Sequence, residues 1–379
     1  MKVALVHYWM VSMRGGERVL EEFCRMFPDA DIYTHVVDRG AMSRTILAHD
    51  IRTTFIARLP YARRLYQKYL PLMPQALEAL DLTGYDLVIS SESGPAKGVI
   101  VGPDAIHLCY CHSPMRYLWD QYHQYRRNAG FLTRLLMPPI VHYLRIWDVT
   151  SAARVDRFVA NSGYIAKRIR KYFRRESDVV HPPVATKAFV PAPVEEIGDY
   201  YLWAGQLVGY KRPDIAVEAF RRSGRRLIVI GEGEERARVE QGAGPTVSFL
   251  GNVPFATLKH HLARCRALVF PGPEDFGIVP VEAQASGRPV IALAEGGALE
   301  TVVDGRTGVL YRDCSVDGLI AALDAFEASG LGDTCRDACV ANAQAFGSDV
   351  FRQKIARVIA EERARHADAP RAGAAHAPG

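Results

Sequence analysis

Short runs of β-branched and aliphatic residues alternate with helical patterns along most of this chain, and this alternation limits the fold more than any other feature. The strand-like runs lie at residues 3–7, 32–35, 87–90, 106–111 and 157–160, and then at 200–204, 226–230, 247–250, 267–270 and 289–292. Helical patterns separate them, for example from residue 16, at 213–223 and at 254–263. Strands that alternate with helices form parallel sheets. The sequence therefore predicts an α/β fold with doubly wound sheets.

The chain of 379 residues is long enough for two domains, and a Pro-rich stretch at 181–198 divides it. This stretch, HPPVATKAFVPAPVEEIG, has neither a helical nor a strand period. We predict a Rossmann-like N-terminal acceptor domain, a linker, a Rossmann-like nucleotide-sugar domain, an amphipathic helix compatible with a return to the first domain, and a disordered tail. Their ranges are 1–185, 186–198, 199–345, 346–363 and 364–379. Ligands bind at the carboxyl ends of parallel strands, so both domains should border one cleft.

Composition excludes several classes of protein. Hydrophobic residues make up 49% of the chain and charged residues 23%, as in ordinary globular proteins, and the net charge of +5 is too mild to identify a partner. No apolar run approaches the roughly 20 residues that span a bilayer, and Arg14, Glu17 and Arg18 follow the apolar N-terminus too closely for a signal peptide. The seven cysteines have no repeating spacing, which predicts reduced thiols in a cytoplasmic protein.

The segment PEDFGIVPVEAQASGRPV carries two carboxylates, Glu274 and Glu282, in an apolar setting. Eight residues of helix rotate by about 800°, which would leave these side chains about 80° apart, so a loop that turns into a helix fits better. We predict Glu274 on the loop and Glu282 about one turn into a helix over 279–286. Backbone N–H groups at such a helix start favour an anion, and here they belong to Gly277, Ile278 and Val279.

Four other predicted strand ends carry residues that suit a sugar or a phosphate. Paired glycines allow close approach to bare backbone, two adjacent cations suit a pyrophosphate, and a bend can hold an imidazole at a strand end. The residues are Gly15 with Gly16, His112, Lys211 with Arg212, and Gly296 with Gly297 and Glu300. Taken alone, each glycine pair could be a plain tight turn, the two cations could lie on a solvated loop, and the histidine could be structural. Together they predict a nucleotide-sugar site.

In these motifs and their order the chain resembles the family 4 glycosyltransferases. The resemblance extends over nearly its whole length, up to about residue 360. The E-x7-E pattern from Glu274 to Glu282 is the most specific element. The glycine pair at Gly15, the GQLVGYKRPD loop, the GEG at Gly231 and the GGALETVVDGRTG segment follow in the family's order. The resemblance implies the GT-B fold, in which two Rossmann-like domains face each other across the substrate. The YCHSPMRYLWD and SSESGPAKG segments look closest to the branch that acts on bacterial surface polysaccharides, often with GDP-mannose.

The resemblance also implies a retaining transferase that uses neither a metal nor another cofactor. Its catalytic residues would be Glu274, which faces the transferred sugar, Lys211, which stabilises the leaving diphosphate, and His112, which contacts or orients the sugar. Glu282 would hold the ribose. The remaining donor-binding residues would be Gly15, Gly16, Gln206, Arg212, Phe276, Gly277, Ile278 and Val279. Gln206 stands where the family usually has arginine, so either Arg212 compensates or the helix start binds more of the diphosphate.

The expected partners are a nucleoside diphosphate sugar and a glycan or lipid-linked acceptor, and no nucleic-acid-reading motif is present. A UDP-sugar-dependent transferase of the same family is the main alternative. A glycoside hydrolase could use Glu274 and Glu282, but Lys211 would then have no role. A non-catalytic nucleotide-sugar sensor could dispense with His112 and Glu274, both of which are present.

Basic residues are concentrated in the first half of the chain. Between Arg116 and Arg175 thirteen Lys and Arg residues face three aspartates, and residues 58–74 contain Arg58, Arg63, Arg64 and Lys68 without an acid, interleaved with Tyr and Leu. A solvated basic face is one interpretation. An interfacial helix on an anionic membrane is the other, since each basic residue near such a surface contributes about 1 kcal/mol. We therefore expect a cytoplasmic protein that is peripheral on the inner face of the cytoplasmic membrane.

Overall fold

The computed structural model describes residues 1–368, which divide into two compact units. The first unit contains 1–161, 165–180 and 352–368, and the second contains 162–164 and 181–351. Residues 186–198, expected as a linker, belong to the second unit. Of the expected tail, residues 364–368 are helical, and 369–379 lie outside the described residues.

The first unit contains a seven-stranded sheet in the order β3-β2-β1-β4-β5-β6-β7, and all neighbouring strands are parallel. The central strands are buried on both faces, which explains why most of their residues are apolar. The order reverses between β1 and β4, where ligands of doubly wound sheets bind. The strands are β1 Val3–His7, β2 Asp31–Thr34, β3 Ile51–Thr53, β4 Leu87–Glu92, β5 Ile106–Cys111, β6 Arg157–Ala160 and β7 Ser177–Val179.

The second unit contains a six-stranded parallel sheet in the order β10-β9-β8-β11-β12-β13, with its reversal between β8 and β11. The core on one side of this sheet is formed around Trp203, Phe220 and Phe326, and the core on the other side around Phe270, Val281 and Phe346. The strands are β8 Tyr201–Ala204, β9 Leu227–Ile230, β10 Val247–Gly251, β11 Leu268–Phe270, β12 Val290–Leu293 and β13 Gly308–Tyr311. The predicted α/β class is confirmed.

Sixteen α-helices lie in the described part of the chain. Those that begin before residue 181 are α1 Gly15–Met26, α2 Arg44–Leu47, α3 Ala62–Leu65, α4 Met73–Glu78, α5 Tyr122–Asn128, α6 Phe131–Ala152 and α7 Gly163–Phe173. Those that begin after it are α8 Pro213–Ser223, α9 Arg236–Gln241, α10 Phe255–Arg264, α11 Ile278–Ala285, α12 Ala298–Thr301, α13 Val316–Ser329, α14 Leu331–Thr334, α15 Arg336–Gln344 and α16 Ser348–Asp368. Short 3-10 helices occupy Arg39–Ala41, Phe55–Arg58, Tyr66–Leu72, Thr186–Ala188, Val194–Glu196 and Gly209–Lys211.

The interfacial helix expected over 58–74 is wrong as a single helix. The segment consists of short 3-10 and α-helical pieces, with Pro71 inside the longest of them. Its Tyr66, Tyr69 and Leu70 side chains pack against the buried cluster around Ile56. Most of its apolar side chains therefore face the protein interior. Among residues 1–368, no helix combines the length and the hydropathy needed to cross a membrane.

Candidate active site

An ion pair at a strand end of the second unit joins Lys211 and Glu274. The Lys211 ammonium contacts the Glu274 carboxylate, and only 17% and 15% of the two side chains are exposed. Lys211 follows β8 and Glu274 follows β11, which are neighbours at the reversal of the sheet. Parallel neighbours end at the same edge, so their loops meet there. The structure thus brings together two of the three residues predicted to be catalytic.

Glycines allow the loops after β8, β9 and β11 to approach each other closely. A Cβ on Gly231, whose φ is +133°, would lie 1.8 Å from the carbonyl oxygen of Gly205. A Cβ on Gly272 would lie 2.5 Å from the Lys211 backbone, and one on Gly205 would lie 3.2 Å from Lys211 Nζ. The contacts at Gly231 and Gly272 are with backbone and exclude any side chain there without backbone movement. The Lys211 backbone therefore lies where only a glycine at position 272 permits it.

The Gly296–Gly297 pair fixes the loop that carries Glu274. The Gly297 N–H donates to the Glu274 carbonyl oxygen at 2.8 Å. A Cβ on Gly296 would lie 2.2 Å from that oxygen, and a Cβ on Gly297 would lie 2.3 Å from the Phe276 Cα. This pair, for which a plain turn was the alternative, packs directly on the carboxylate loop.

Helix α11 follows the carboxylate loop, as predicted, but it begins at Ile278, one residue earlier than expected. Gly277 precedes it with φ +85°, a conformation that favours glycine. Glu282 lies in the second turn with 3% of its surface exposed, so its side chain is almost fully enclosed in this structure. Its role at a ribose stays a prediction.

The sequence left open whether Arg212 compensates for Gln206, and in this structure Arg212 already has partners, so its role at the diphosphate stays a prediction. The Arg212 guanidinium donates to both carboxylate oxygens of Asp214 at 3.0 to 3.3 Å, and to Cys314 Sγ at 3.4 Å. Gln206 is exposed in the same loop. Lys211 is therefore the cation of this loop that pairs with Glu274.

The second unit also contains a carboxylate network around Glu300 that includes a residue the sequence reasoning missed. Glu300 accepts from the backbone N–H groups of Gly163 at 2.9 Å and Tyr164 at 3.2 Å, and its Oε2 lies 2.9 Å from His181 Nε2. Burial opposes ionisation, but these donors together lower the pKa of Glu300. The His181 ring stacks on Phe276 with 5.4 Å between centroids. Only the position of His181 before two prolines marked it in the sequence.

In the first unit, His112 follows β5 and ends a chain of polar side chains. His112 Nε2 lies 2.9 Å from Ser91 Oγ, which lies 3.0 Å from His7 Nδ1. The other ring nitrogen of His7 lies 3.7 Å from Glu17 Oε1. Burial and the nearby His7 lower the pKa of His112 to about 3, so the ring is neutral at neutral pH. Such an imidazole can orient a hydroxyl, and the hydrogen bond with Ser91 Oγ fixes its ring.

The glycine pair in the first unit has a packing role. Helix α1 begins at Gly15, and the Arg14 N–H donates to Glu17 Oε2 at 2.9 Å in a capping interaction. A Cβ on Gly16 would lie 2.4 Å from the hydroxyl of Tyr8. Gly15, Gly16 and His112 lie in the first unit, whereas all other candidate residues lie in the second. Among residues 1–368 no group of three or more His, Cys, Asp or Glu side chains could hold a metal ion.

Two family models match adjacent parts of the chain. The Glycosyltransferase Family 4 model matches residues 13–188, and the Glycosyl transferases group 1 model matches residues 188–346. The chain therefore belongs to the family 4 glycosyltransferases, as its motifs predicted.

Solved structures show the same fold over almost the whole chain. HepE of Anabaena in complex with UDP-glucose has a TM-score of 0.70 at 19% identity, covering 95% of this chain and 100% of that chain. WaaG, a glycosyltransferase involved in lipopolysaccharide biosynthesis, has a TM-score of 0.69 at 18% identity, covering 94% and 99%. The predicted GT-B fold class is confirmed.

Curated relatives match shorter stretches. A D-inositol 3-phosphate glycosyltransferase of Mycobacterium marinum is 31% identical over 47% of this chain and 43% of its own length. The α-1,3/1,6-mannosyltransferase alg2 of Schizosaccharomyces pombe is 26% identical over 62% of this chain and 54% of its own length. The chain thus spans about half the length of these relatives.

Proposed function

We propose that this protein transfers a sugar from a nucleoside diphosphate donor, with retention of anomeric configuration, to a glycan or lipid-linked acceptor in surface polysaccharide synthesis. The observation that carries the proposal is the ion pair of Lys211 and Glu274, held among glycines at the reversal of the second sheet. A cation suits the diphosphate, and a carboxylate suits the hydroxyls of the sugar. Family membership supports the same reaction.

Lys211 acts on the leaving group. When the bond between the anomeric carbon and the diphosphate oxygen breaks, its electron pair stays on the diphosphate, whose negative charge grows. A fixed ammonium stabilises that growing charge more than it stabilises the intact donor, so it lowers the barrier. In the structure the ammonium pairs with Glu274, and on donor binding the diphosphate shares it. Glu274 then remains beside the sugar.

GDP-mannose is the donor we put first, and UDP-sugars are the alternative. The first choice follows from the YCHSPMRYLWD segment, which resembles the branch of the family that acts on bacterial surface polysaccharides. It is also supported by a relative named as a mannosyltransferase. The alternative is supported by HepE, whose structure was determined with UDP-glucose. Gln206 is exposed in the loop after β8. Its identity does not distinguish a guanine from a uracil base in the donor.

A panel of nucleotide sugars tests the proposal. Thermal unfolding is recorded with GDP-mannose, UDP-glucose, UDP-galactose and ADP-glucose, because a ligand at 100 times its Kd stabilises by about 2.7 kcal/mol. We expect the largest shift with GDP-mannose and slow donor hydrolysis that survives EDTA. A shift with UDP-sugars alone would replace the donor, binding without hydrolysis or transfer would indicate a sensor, and no binding at all would refute the proposal. NMR of the product distinguishes retention from inversion.

The two glutamates should separate kinetically. Glu274→Gln removes the charge beside the reacting sugar, so we expect mainly a fall in kcat, by about tenfold to a hundredfold. Glu282→Ala removes the proposed ribose contact, so we expect mainly a rise in KM. Glu282→Gln, which keeps the volume of this enclosed side chain, controls for misfolding. Equal losses of kcat in all variants, with KM unchanged, would contradict the division of roles.

A further inference from the structure

Helix α6 exposes a long apolar face. Phe131, near the start of the helix, is 85% exposed, and the other large apolar side chains on this face are between 40% and 66% exposed. They are Leu132, Leu135, Leu136, Tyr143, Ile146 and Val149. Their spacing along the helix places them on one side of it. A contiguous apolar surface of this kind marks an interaction site in a water-soluble protein.

The opposite face of α6 packs against the core of the first unit. Val141, Leu144 and Trp147 are buried in the core of the first unit, together with Val88 and Tyr122. The Trp147 Nε1–H also donates to Glu78 Oε1 in α4 at 2.9 Å. Because these contacts anchor the helix, it cannot rotate to bury its exposed face without losing core packing. The exposed face therefore needs an external partner.

The charged residues of the segment that carries this face are all basic. No acidic residue lies between Asp120 and Asp148, whereas Arg126, Arg127 and Arg134 are exposed at the junction of α5 and α6. Arg134 Nη2 donates to the carbonyl oxygen of Arg127 at 3.0 Å, which keeps two of these arginines close together. Apolar side chains beside arginines are the combination that binds an anionic bilayer surface.

The two aspartates that flank this segment do not neutralise it. Asp120 accepts from Arg168 at 2.7 Å, and Asp148 is fully buried against Lys97. A second copy of the chain would bring identical arginines together if this face formed a two-fold interface, which charge repulsion disfavours. An anionic surface is favoured by the same charges.

We propose that the apolar face of α6, with Arg126, Arg127 and Arg134, docks this protein on an anionic phospholipid bilayer. The proposed docking is inferred from the exposed apolar face of α6 and the exposed arginines beside it in the first unit. Its purpose, which is to bring the enzyme to a lipid-linked acceptor, rests on the proposed function. The face also replaces residues 58–74 as the principal membrane contact, because most apolar side chains of that segment are turned inward.

Cosedimentation of the full chain with vesicles tests the proposal. The vesicles contain phosphatidylcholine alone or phosphatidylcholine with phosphatidylglycerol, and the variants are Phe131→Ser with Leu135→Ser and Arg126→Glu with Arg127→Glu. We expect each pair to lower partition onto anionic vesicles by at least about tenfold, since each lost basic contact or buried apolar side chain weakens binding severalfold. Salt should weaken binding of the parent protein.

Matched controls keep the result specific. Val190→Ser with Val194→Ser alters two exposed apolar side chains of the second unit, and Arg306→Glu with Arg312→Glu makes the same change in net charge there. Both should bind like the parent. Parent-like binding by the α6 variants would overturn the proposal, as would a dimer that the α6 variants disrupt without change in vesicle binding. Donor hydrolysis, measured in parallel, should persist in all variants, so its absence in the parent would refute the proposed function and leave the docking result standing.

Discussion

Replacing Lys211 with alanine should lower kcat/KM for the donor by about a thousandfold. Loss of one fixed group that stabilises developing negative charge typically costs about 10² to 10³ in rate. Here the loss should affect both constants, because the ammonium is proposed to meet the diphosphate before and after bond cleavage. Steady-state kinetics on the identified donor, with donor binding measured by calorimetry, would separate the two contributions.

Arg212, the cation next to Lys211 in the sequence, is engaged elsewhere in this structure. The Arg212 guanidinium is bound by Asp214 and Cys314, and its backbone lies in the left-handed region with φ +50°. Gln206, where the family usually has arginine, is uncharged. We therefore expect Arg212→Lys to retain most of the activity in the wild-type background.

A matched control for Lys211→Ala is Lys187→Ala. Lys187 also pairs with a carboxylate, that of Asp349 at 2.6 Å, but both side chains are largely exposed. Exposed pairs contribute little to stability, so this variant should keep full activity and the same unfolding midpoint. If Lys211→Ala kept more than about a tenth of kcat/KM, the diphosphate would have to be stabilised mainly by backbone groups.

The sequence predicts the central strands well because burial leaves a visible pattern. β4 and β5 are buried at every position, and most of their residues are apolar, as burial on both faces requires. The three strands absent from the prediction are β3, β7 and β13, all at sheet edges. β3 and β7 have three residues each and mostly partly or fully exposed side chains. These two segments are strands because a neighbouring strand pairs with them. Their own residue patterns do not predict a strand.

The candidate site is predictable in its residues but less so in its contacts. The E-x7-E pattern identifies Glu274, and the loop after β8 identifies Lys211, yet 62 residues separate them in the sequence. Their ion pair follows from the order of the strands, which periodicity does not reveal. The sequence likewise does not reveal that Arg212 has a positive φ angle or that its guanidinium donates to Asp214.

The membrane surface shows the limit of single-sequence reasoning more sharply. Residues 58–74 and α6 both combine arginines with large apolar side chains. Which of these side chains the protein covers is decided by packing: Leu70 contacts the cores around Ile56 and Leu77, whereas Leu135 contacts solvent. Composition is the same in both cases, so the sequence could indicate the chemistry of the surface but could not locate it.

Lys97→Met should destabilise the first unit by about 3–5 kcal/mol. Lys97 is fully buried, with its ammonium 2.7 Å from Glu92 Oε1 and in contact with the equally buried Asp148. Glu92 also accepts from the Lys97 N–H at 2.7 Å, and Asp148 accepts from Trp119 Nε1 at 2.8 Å. Removing the Lys97 ammonium leaves the buried carboxylates without its compensation, and this costs far more than the pair contributes.

The destabilisation should depend on pH in a definite direction. Burial already raises the pKa of Glu92 above its ordinary value, despite the opposing charge of Lys97. Without Lys97 the pKa in the folded state rises further, so the folded variant binds more protons than the unfolded chain between the two pKa values. Its stability then falls as pH rises through that window. The loss should be largest at neutral and alkaline pH and should shrink as pH falls towards about 4, the pKa of an unfolded glutamate.

Urea unfolding in a Trp203→Phe background would measure this effect in the first unit, because the three remaining tryptophans, Trp9, Trp119 and Trp147, all lie there. Lys68→Met, which removes an exposed lysine of the same unit, is the control and should change stability by less than about 0.5 kcal/mol.

The triple variant Lys97→Met, Glu92→Gln and Asp148→Asn should recover part of the loss, since it removes the uncompensated charges along with the cation. A loss that is the same at pH 5 and pH 8 would mean that the cost is lost packing around the lysine stem, and the charge argument would then be wrong.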